Sequence, residues 1–223
     1  RLLSRFLGEP SFLWLDHFGP DLVVISHALI HRRTLAWMQE CLKRRRPYLT
    51  VCHLISPYAW PYDGLAFDYA GASSEARACY FVSKANLELT RRQLVHPLPN
   101  AEIVRNPFNV RYDANPSWPG TGNGTVWKLA CVARLFPAHK GQDLLLEVLR
   151  MPKWRERALR VTLYGEGTHG RSLHLLREMW ELDQVEFGGF VSDIESVWAS
   201  HHGLVLPSRV EGLPLALVEA MLC

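Results

Sequence analysis

The chain has 223 residues, of which 48% are hydrophobic and 21% are charged, a composition typical of globular proteins. Its net charge of +3 is too small to indicate nucleic acid as a partner, and no stretch reaches the ~18 apolar residues that a membrane-spanning helix needs. The five cysteines lack the spacing of a zinc site. We therefore expect small buried thiols in the reducing cytoplasm and no metal.

Positive charge is concentrated in the first half of the chain. Residues 1–110 hold 13 Lys and Arg against 9 Asp and Glu, whereas residues 111–223 hold 12 against 13. Such an excess is typical of solvated surface, and it also allows contact with a membrane, here its inner face. The run Lys43–Arg46 follows a predicted helix, and its charges complement the helix dipole, an interpretation we prefer to a binding patch.

The first half alternates apolar runs with helical patterns, as parallel α/β sheets do. Segment 58–72 is aromatic and has no clean period, which indicates a loop. The predicted strands are 21–26, which reads as buried, 48–55, 78–83 and 101–105, and the predicted helices are 34–45 and 84–94.

A second alternation follows a segment rich in turn-forming residues at 106–125. We therefore predict two domains, 1–108 and 126–223, joined by a linker at 109–125. The second domain has predicted strands at 127–133, 160–164, 185–187 and 203–206, and predicted helices at 141–150, 170–181 and 193–200.

The stretch 204–221 carries the strongest functional pattern. A short apolar run is followed by a Pro-Ser-Arg-Val-Glu-Gly loop, and Pro214 then suits the first position of a helix. Glu211 is expected in the loop and Glu219 in the helix. The free amides at the helix start, near Leu213 and Leu215, form a potential anion-binding site. The carboxylates of Glu211 and Glu219 beside it are suited to bind hydroxyl groups of a ribose and a sugar.

Two cations, Arg134 and Lys140, follow the strand at 127–133 and precede the next helix. The carboxyl end of a parallel strand is where open α/β sheets bind ligands, so these cations are placed to hold a diphosphate. Surface cations of no special role would give the same spacing.

These motifs together resemble the retaining family-four glycosyltransferases. The resemblance rests on Val132-Ala133-Arg134-Leu135, on Lys140-Gly141-Gln142-Asp143, and on Glu211 and Glu219 within Pro-Ser-Arg, Gly-Leu-Pro and Glu-Ala-Met. It implies the GT-B fold, with two Rossmann-like, doubly wound parallel-sheet domains: an acceptor-side domain and a nucleotide-sugar-binding domain. It also implies a UDP- or GDP-type nucleotide sugar as donor, no cofactor or metal, and a sugar, lipid or glycan acceptor.

The resemblance also assigns roles to individual residues. It makes Arg134, Lys140, Glu211 and His53 catalytic, although a histidine after a strand is often structural. His27, after the preceding strand, is a second candidate. Gly165-x-Gly167, which is equally typical of a turn, and Phe190-Val191, which can also be core, correspond to the nucleotide side. The resemblance implies donor contacts for Gly165, Gly167, Phe190, Val191, Gly212, Leu213, Leu215 and Glu219.

Compared with the family, the sequence is expected to be truncated at both ends. The glycine-rich loop after the family's first strand does not occur, and the segment that should follow Glu-Ala-Met is missing. Both domains would then be incomplete, and we expect this polypeptide alone to be inactive. Two alternatives are a non-catalytic nucleotide-binding module of the same fold and a GT-B nucleotide-sugar epimerase. The occupied motif positions disfavour both.

Overall fold

The computed structural model describes residues 12–122, 124 and 126–223. The chain divides into two compact units, one up to Asn106 and one spanning Pro107–Cys223. Residues 1–11 of the first predicted domain, and Asn123 and Thr125 of the predicted linker, lie outside the described residues. The predicted domain bounds and linker stay predictions.

The first unit is built on a parallel four-stranded sheet in the order β1-β2-β3-β4. Its strands are β1 (Val23–His27), β2 (Tyr48–Cys52), β3 (Cys79–Phe81) and β4 (Ala101–Ile103). Its helices are α1 (Leu13–Phe18), α2 (Arg32–Lys43), α3 (Asp63–Ser74) and α4 (Lys84–Leu94). The core lies between sheet and helices and includes Ile25, Met38, Tyr48, Cys52 and Phe81.

Two predictions for this unit were wrong in detail. The segment predicted as a loop at 58–72 contains the helix Asp63–Ser74. Half of its buried residues are alanines, and apolar residues lie on all sides of the helix, so the sequence carries almost no amphipathic period to detect. The run at 21–26 is a parallel strand, but its burial alternates: Val23 and Ile25 are buried, whereas Val24, on the other face of β1, is 59% exposed.

The second unit has a parallel four-stranded sheet in the order β7-β6-β5-β8. Its strands are β5 (Trp127–Val132), β6 (Leu159–Tyr164), β7 (Val185–Gly189) and β8 (Gly203–Leu204). Its helices are α5 (Pro137–Lys140), α6 (Gln142–Arg150), α7 (Pro152–Arg155), α8 (Gly170–Met179), α9 (Ile194–Ser200) and α10 (Leu215–Leu222).

The strand order creates a switch point between β5 and β8. The chain moves outward from β5 through β6 to β7 and then returns to the other side of β5. Open α/β sheets bind ligands in the crevice at such a point, beyond the carboxyl ends of the strands. The predicted α/β class and its parallel sheets are confirmed.

Four of the five cysteines are buried, as predicted, and Cys223 is partly buried. Within the described residues, no helix has the length and apolar character required to cross a bilayer.

Candidate active site

The loops after β5, β6 and β7 enclose a cavity of about 600 Å³ in the second unit. Five of the residues predicted for donor binding or catalysis line it: Arg134, Gly165, Phe190, Val191 and Glu219. The other lining residues are Asn109, Val132, Ala133, Tyr164, Glu166, Ser192 and Ile194. A cavity of this size, with the cation of Arg134 and the carboxylates of Glu166 and Glu219 in a largely apolar wall, is suited to a small organic ligand.

Gly165 allows the loop after β6 to lie directly on the loop after β5. Its φ is +125°, a conformation that side chains rarely adopt, and a Cβ there would lie 2.3 Å from the carbonyl oxygen of Ala133. Its backbone N–H donates to the carbonyl of Gly189 at 2.7 Å. Position 165 therefore has to be a glycine, because the loop after β6 lies too close to the loop after β5 for a side chain.

Gly167 lies beside the cavity rather than in it. It lines a neighbouring cavity of about 520 Å³ that shares Gly165 and Glu166 with the first. A Cβ at Gly167 would meet the carbonyl oxygen of Leu135 at 2.3 Å. The Gly165-Glu166-Gly167 segment thus forms the wall between two cavities.

Glu219 is a buried carboxylate in the wall of the main cavity. Its side chain lies on α10, and the residue is only 3% exposed. Its Oε1 accepts hydrogen bonds from the backbone N–H of Asn109 at 2.9 Å and from Asn109 Nδ2 at 3.2 Å. Burial of a charge requires such donors, and two neutral donors from one residue hold this carboxylate in place.

Glu211 makes an ion pair with Lys140. Lys140 Nζ lies 2.7 Å from Glu211 Oε1, and each side chain retains about a fifth of its exposure, 21% and 22%. Lys140 is the last residue of α5, and Gly141 follows with φ +67°. A Cβ at Gly141 would lie 2.1 Å from the carbonyl oxygen of Pro207, so only glycine lets the two loops meet. The structure thus brings together two of the predicted catalytic residues.

A second ion pair joins the same two loops. The guanidinium of Arg209 binds the Asp143 carboxylate through two hydrogen bonds of 2.7 and 2.9 Å. The same guanidinium donates to the carbonyl of Pro137 at 2.9 Å. The backbone N–H groups of Arg209 and Val210 donate to the carbonyl of His139 at 2.7 and 3.1 Å.

Arg134 is exposed at the mouth of the cavity, and its guanidinium lies 5.8 Å from the centre of the Phe136 ring. Its backbone carbonyl accepts a hydrogen bond of 2.9 Å from Gln142 Nε2. Gln142 is fully buried at the start of α6. The backbone that carries Arg134 is therefore fixed, while its exposed cationic end lies over the Phe136 ring.

The electrostatics of these loops alter several pKa values. The hydrogen bonds from Arg209 lower the pKa of Asp143, so this carboxylate is ionised. Burial lowers the pKa of His139, and the nearby Arg134 and Lys140 charges lower it further. Burial raises the pKa of the Cys131 thiol to about 12. Among the described residues, no three His, Cys, Asp or Glu side chains are grouped as metal ligands.

Gly212, Leu213 and Leu215 occupy the segment that leads into α10, where Pro214 caps the helix and Leu215 is its first residue. All three are half-buried. They do not line the main cavity. Their proposed contact with an anion rests on their place at a helix start.

The first unit brings two of its histidines together. His53 follows β2, and its Nε2 lies 3.0 Å from the Ser26 hydroxyl at the end of β1. Its backbone N–H donates to the carbonyl of His27 at 2.9 Å. Burial lowers the pKa of His27 to about 4, although its Nδ1 contacts the carbonyl of Leu29 and its ring contacts the Tyr69 hydroxyl. His27 is therefore neutral near pH 7, and its role as a second site candidate stays a prediction.

Sequence reasoning missed the residues that hold the carboxylates in place. Asn109 was assigned to the linker, and no local pattern connects it with Glu219, 110 residues away. Arg209 and Asp143 both lie within the quoted motifs, but nothing in their spacing indicates that they pair. Only the adjacency of β5 and β8 brings them together.

The fold and this cavity define the class of the protein: an α/β protein with a cavity at the carboxyl ends of the strands of its second sheet. Residues 127–223 match the family model described as "Glycosyl transferases group 1". No curated protein sequence matches the chain.

Solved glycosyltransferase structures share this fold. HepE from Anabaena, in complex with UDP and glucose, has 20% identity and a TM-score of 0.71, over 95% of this chain and 59% of HepE. A TarM variant from S. aureus, in complex with fondaparinux, alpha-GlcNAc-glycerol and UDP, has 16% identity and a TM-score of 0.68, over 94% and 42%. The pneumococcal O-GlcNAc transferase GtfA, in complex with UDP and GlcNAc, has 15% identity and a TM-score of 0.62, over 94% and 42%.

At these identities the likeness shows the fold, which is the GT-B fold with two Rossmann-like units. The chain spans only 42% to 59% of the length of these three proteins.

Proposed function

We propose that the chain is part of a retaining glycosyltransferase, which moves a sugar from a nucleotide-sugar donor to a glycan, lipid or small-molecule acceptor. The observation that carries this proposal is the cavity at the carboxyl ends of β5, β6 and β7, which is lined by both buried Glu219 and the Arg134 cation. The match of residues 127–223 to the group 1 glycosyltransferases supports it. The UDP bound in HepE, TarM and GtfA favours a UDP-type donor.

Glu219 is proposed to bind the ribose hydroxyls of the donor. The carboxylate is ordered by both N–H donors of Asn109 before any ligand arrives, so little side-chain freedom is lost on binding. Phe190 and Val191 lie in the same wall and would contact the base, and Gly165 and Gly167 let the backbone approach it.

Arg134 and Lys140 are proposed to bind the diphosphate and stabilise it as the leaving group. The bond between the anomeric carbon and the diphosphate oxygen breaks, and its electron pair stays with the diphosphate. Cations fixed near that developing charge lower the barrier. The segment Gly212-Leu213-Pro214-Leu215 adds the amides of a helix start, which favour an anion.

Glu211 is proposed to contact the transferred sugar. Its pairing with Lys140 places a carboxylate beside the cation that would hold the diphosphate, which is where the sugar must lie. The acceptor hydroxyl then forms the new bond to the anomeric carbon on the face that the diphosphate leaves, and its proton passes to the released diphosphate. In the first unit, His53 is the residue proposed to reach the sugar or the acceptor, with Ser26 as its hydrogen-bond partner.

A lipid acceptor would require the protein to work at a membrane surface. The excess of Lys and Arg in residues 1–110 supports a proposed contact with the inner face of the cytoplasmic membrane. This contact would be peripheral.

A donor panel on the full-length protein tests the proposed function. UDP-, GDP- and ADP-sugars are offered with mixed acceptors, and release of each nucleoside diphosphate is measured. We expect release from one donor type and a product that keeps the anomeric configuration of the donor, as read by NMR. Inversion of that configuration would refute the retaining mechanism, and tight nucleotide binding without turnover would favour the non-catalytic module.

A further inference from the structure

We propose that the Arg209–Asp143 ion pair is a positioning device that holds Glu211 against Lys140. This inference rests on the proposed function, because it concerns how two residues of that site are kept in place. Neither Arg209 nor Asp143 lines the cavity. Lys140 and Glu211 do not line it either, and Arg209 and Asp143 lie two and three residues from them in the sequence.

The Arg209–Asp143 ion pair, hereafter the clamp, has a rigid geometry. Two parallel N–H···O bonds of 2.7 and 2.9 Å join the guanidinium and the carboxylate, an arrangement that fixes orientation as well as distance. A third bond runs from Arg209 to the carbonyl of Pro137, the first residue of α5. Lysine cannot reproduce this fork, because its ammonium is a point charge on a flexible stem.

The clamp connects the two loops that carry the proposed catalytic residues. Arg209 lies two residues before Glu211, and Asp143 lies three residues after Lys140. The backbone N–H groups of Arg209 and Val210 also bind the carbonyl of His139, directly before Lys140. The residues on both sides of Lys140 are thus bonded to the other loop, and so are the two residues that precede Glu211.

Two features keep the Asp143 carboxylate ionised. The hydrogen bonds from Arg209 lower its pKa, and the residue lies in the first turn of α6, where the helix dipole favours a carboxylate. The preceding residue, Gln142, binds the carbonyl of Arg134. The start of one helix therefore aligns the loops of Arg134, Lys140 and Glu211.

A double-mutant cycle in the full-length protein distinguishes positioning from a general effect on folding. Misplacing catalytic groups by about 1 Å can cost roughly 10²-fold in rate, so we expect Arg209→Ala to lower kcat by up to that factor. Affinity for free UDP should change much less. In a Glu211→Gln background, Arg209→Ala should cost little more, because the group that it positions is already inactive.

Two milder variants keep the test valid if Arg209→Ala does not fold. Arg209→Lys keeps the charge and loses the fork, and Asp143→Asn keeps the shape and loses the charge. Each should lower kcat and show the same loss of effect in the Glu211→Gln background. The control is Arg160→Ala, which breaks an exposed ion pair with Glu186 at 2.6 Å on the strands of the same sheet and should leave kcat unchanged.

Equal losses of kcat in the wild-type and Glu211→Gln backgrounds would overturn the inference and leave the proposed function standing. An unchanged kcat in all three variants would overturn it as well. No turnover by the wild-type protein with any donor would instead refute the proposed function on which it rests.

Discussion

The two units share one scaffold and differ in the chemistry at the carboxyl ends of their strands. In the first unit the ends of β1 and β2 carry the Ser26–His53 hydrogen bond and His27, whose pKa is lowered by burial to about 4. In the second unit they carry ion pairs and a buried carboxylate. A parallel sheet thus fixes where a site lies, and the loops decide which charges it holds.

The difference follows from what each unit is proposed to bind. A nucleoside diphosphate carries negative charge that must be matched by fixed cations and amides, which the second unit supplies. A hydroxyl acceptor carries no charge and needs hydrogen-bonding groups rather than fixed ions. His53 and the Ser26 hydroxyl of the first unit are groups of this kind. We therefore expect loss of charge in the second unit to change turnover and nucleotide binding, and the neutral His27 of the first unit to affect stability.

Loss of the Lys140 cation should have the largest effect. Removing one well-placed electrostatic donor typically costs ~10²–10³ in rate, and we expect Lys140→Ala to lose turnover by that factor without unfolding. Turnover is measured as nucleotide release, and folding by circular dichroism. Lys128, an exposed cation near the start of β5, is the matched control, and Lys128→Ala should stay active. A fully active Lys140→Ala protein would make Lys140 an ordinary surface cation.

Glu211 should affect turnover and not nucleotide binding. Glu211→Gln keeps the shape of the side chain but loses its ion pair with Lys140. We expect a loss of turnover of roughly 10²-fold, with UDP affinity by calorimetry nearly unchanged. Glu186→Gln, at an exposed site on β7, serves as control. A parallel loss of both quantities would contradict the proposed division between the two glutamates.

Glu219 should affect nucleotide binding directly. A hydrogen bond to a charged group contributes about 1.5–3 kcal/mol. Glu219→Ala should therefore weaken the binding of free UDP and of the sugar donor by similar factors, of order 10- to 150-fold. Because the carboxylate is buried, a thermal melt must accompany the titration. Glu147→Ala, on the exposed face of α6, is the control. Unchanged UDP affinity would assign Glu219 a structural role only.

The neutrality of His27 predicts a smaller, pH-dependent effect on stability. Its folded pKa of about 4 lies below the unfolded value near 6.5, so the unfolded state binds the proton first. The free energy of unfolding should therefore fall as the pH drops from about 6.5 to about 4. Urea titrations should show that His27→Gln removes part of this slope. His17→Gln, on the exposed side of α1, should retain it. An identical slope in His27→Gln would exclude the buried histidine as its source.

The alternation of strands and helices was readable from the sequence because burial on both faces of a parallel sheet requires continuous apolar runs. The helix at Asp63–Ser74 was not, since its apolar residues are spread around the helix and leave no amphipathic period. The short helices α5 and α7 were not predicted either, because four residues are too few to show a helical period.

The sequence by itself determined which residues follow which strands, and so placed Arg134, Lys140, Glu211 and Glu219 at the carboxyl edge of one sheet. Only the tertiary structure decided their partners. Glu219 receives its hydrogen bonds from Asn109 across 110 residues, and Arg209 meets Asp143 across 66. Such pairs depend on β8 returning to lie beside β5, and strand order is set by long-range packing that no local pattern records.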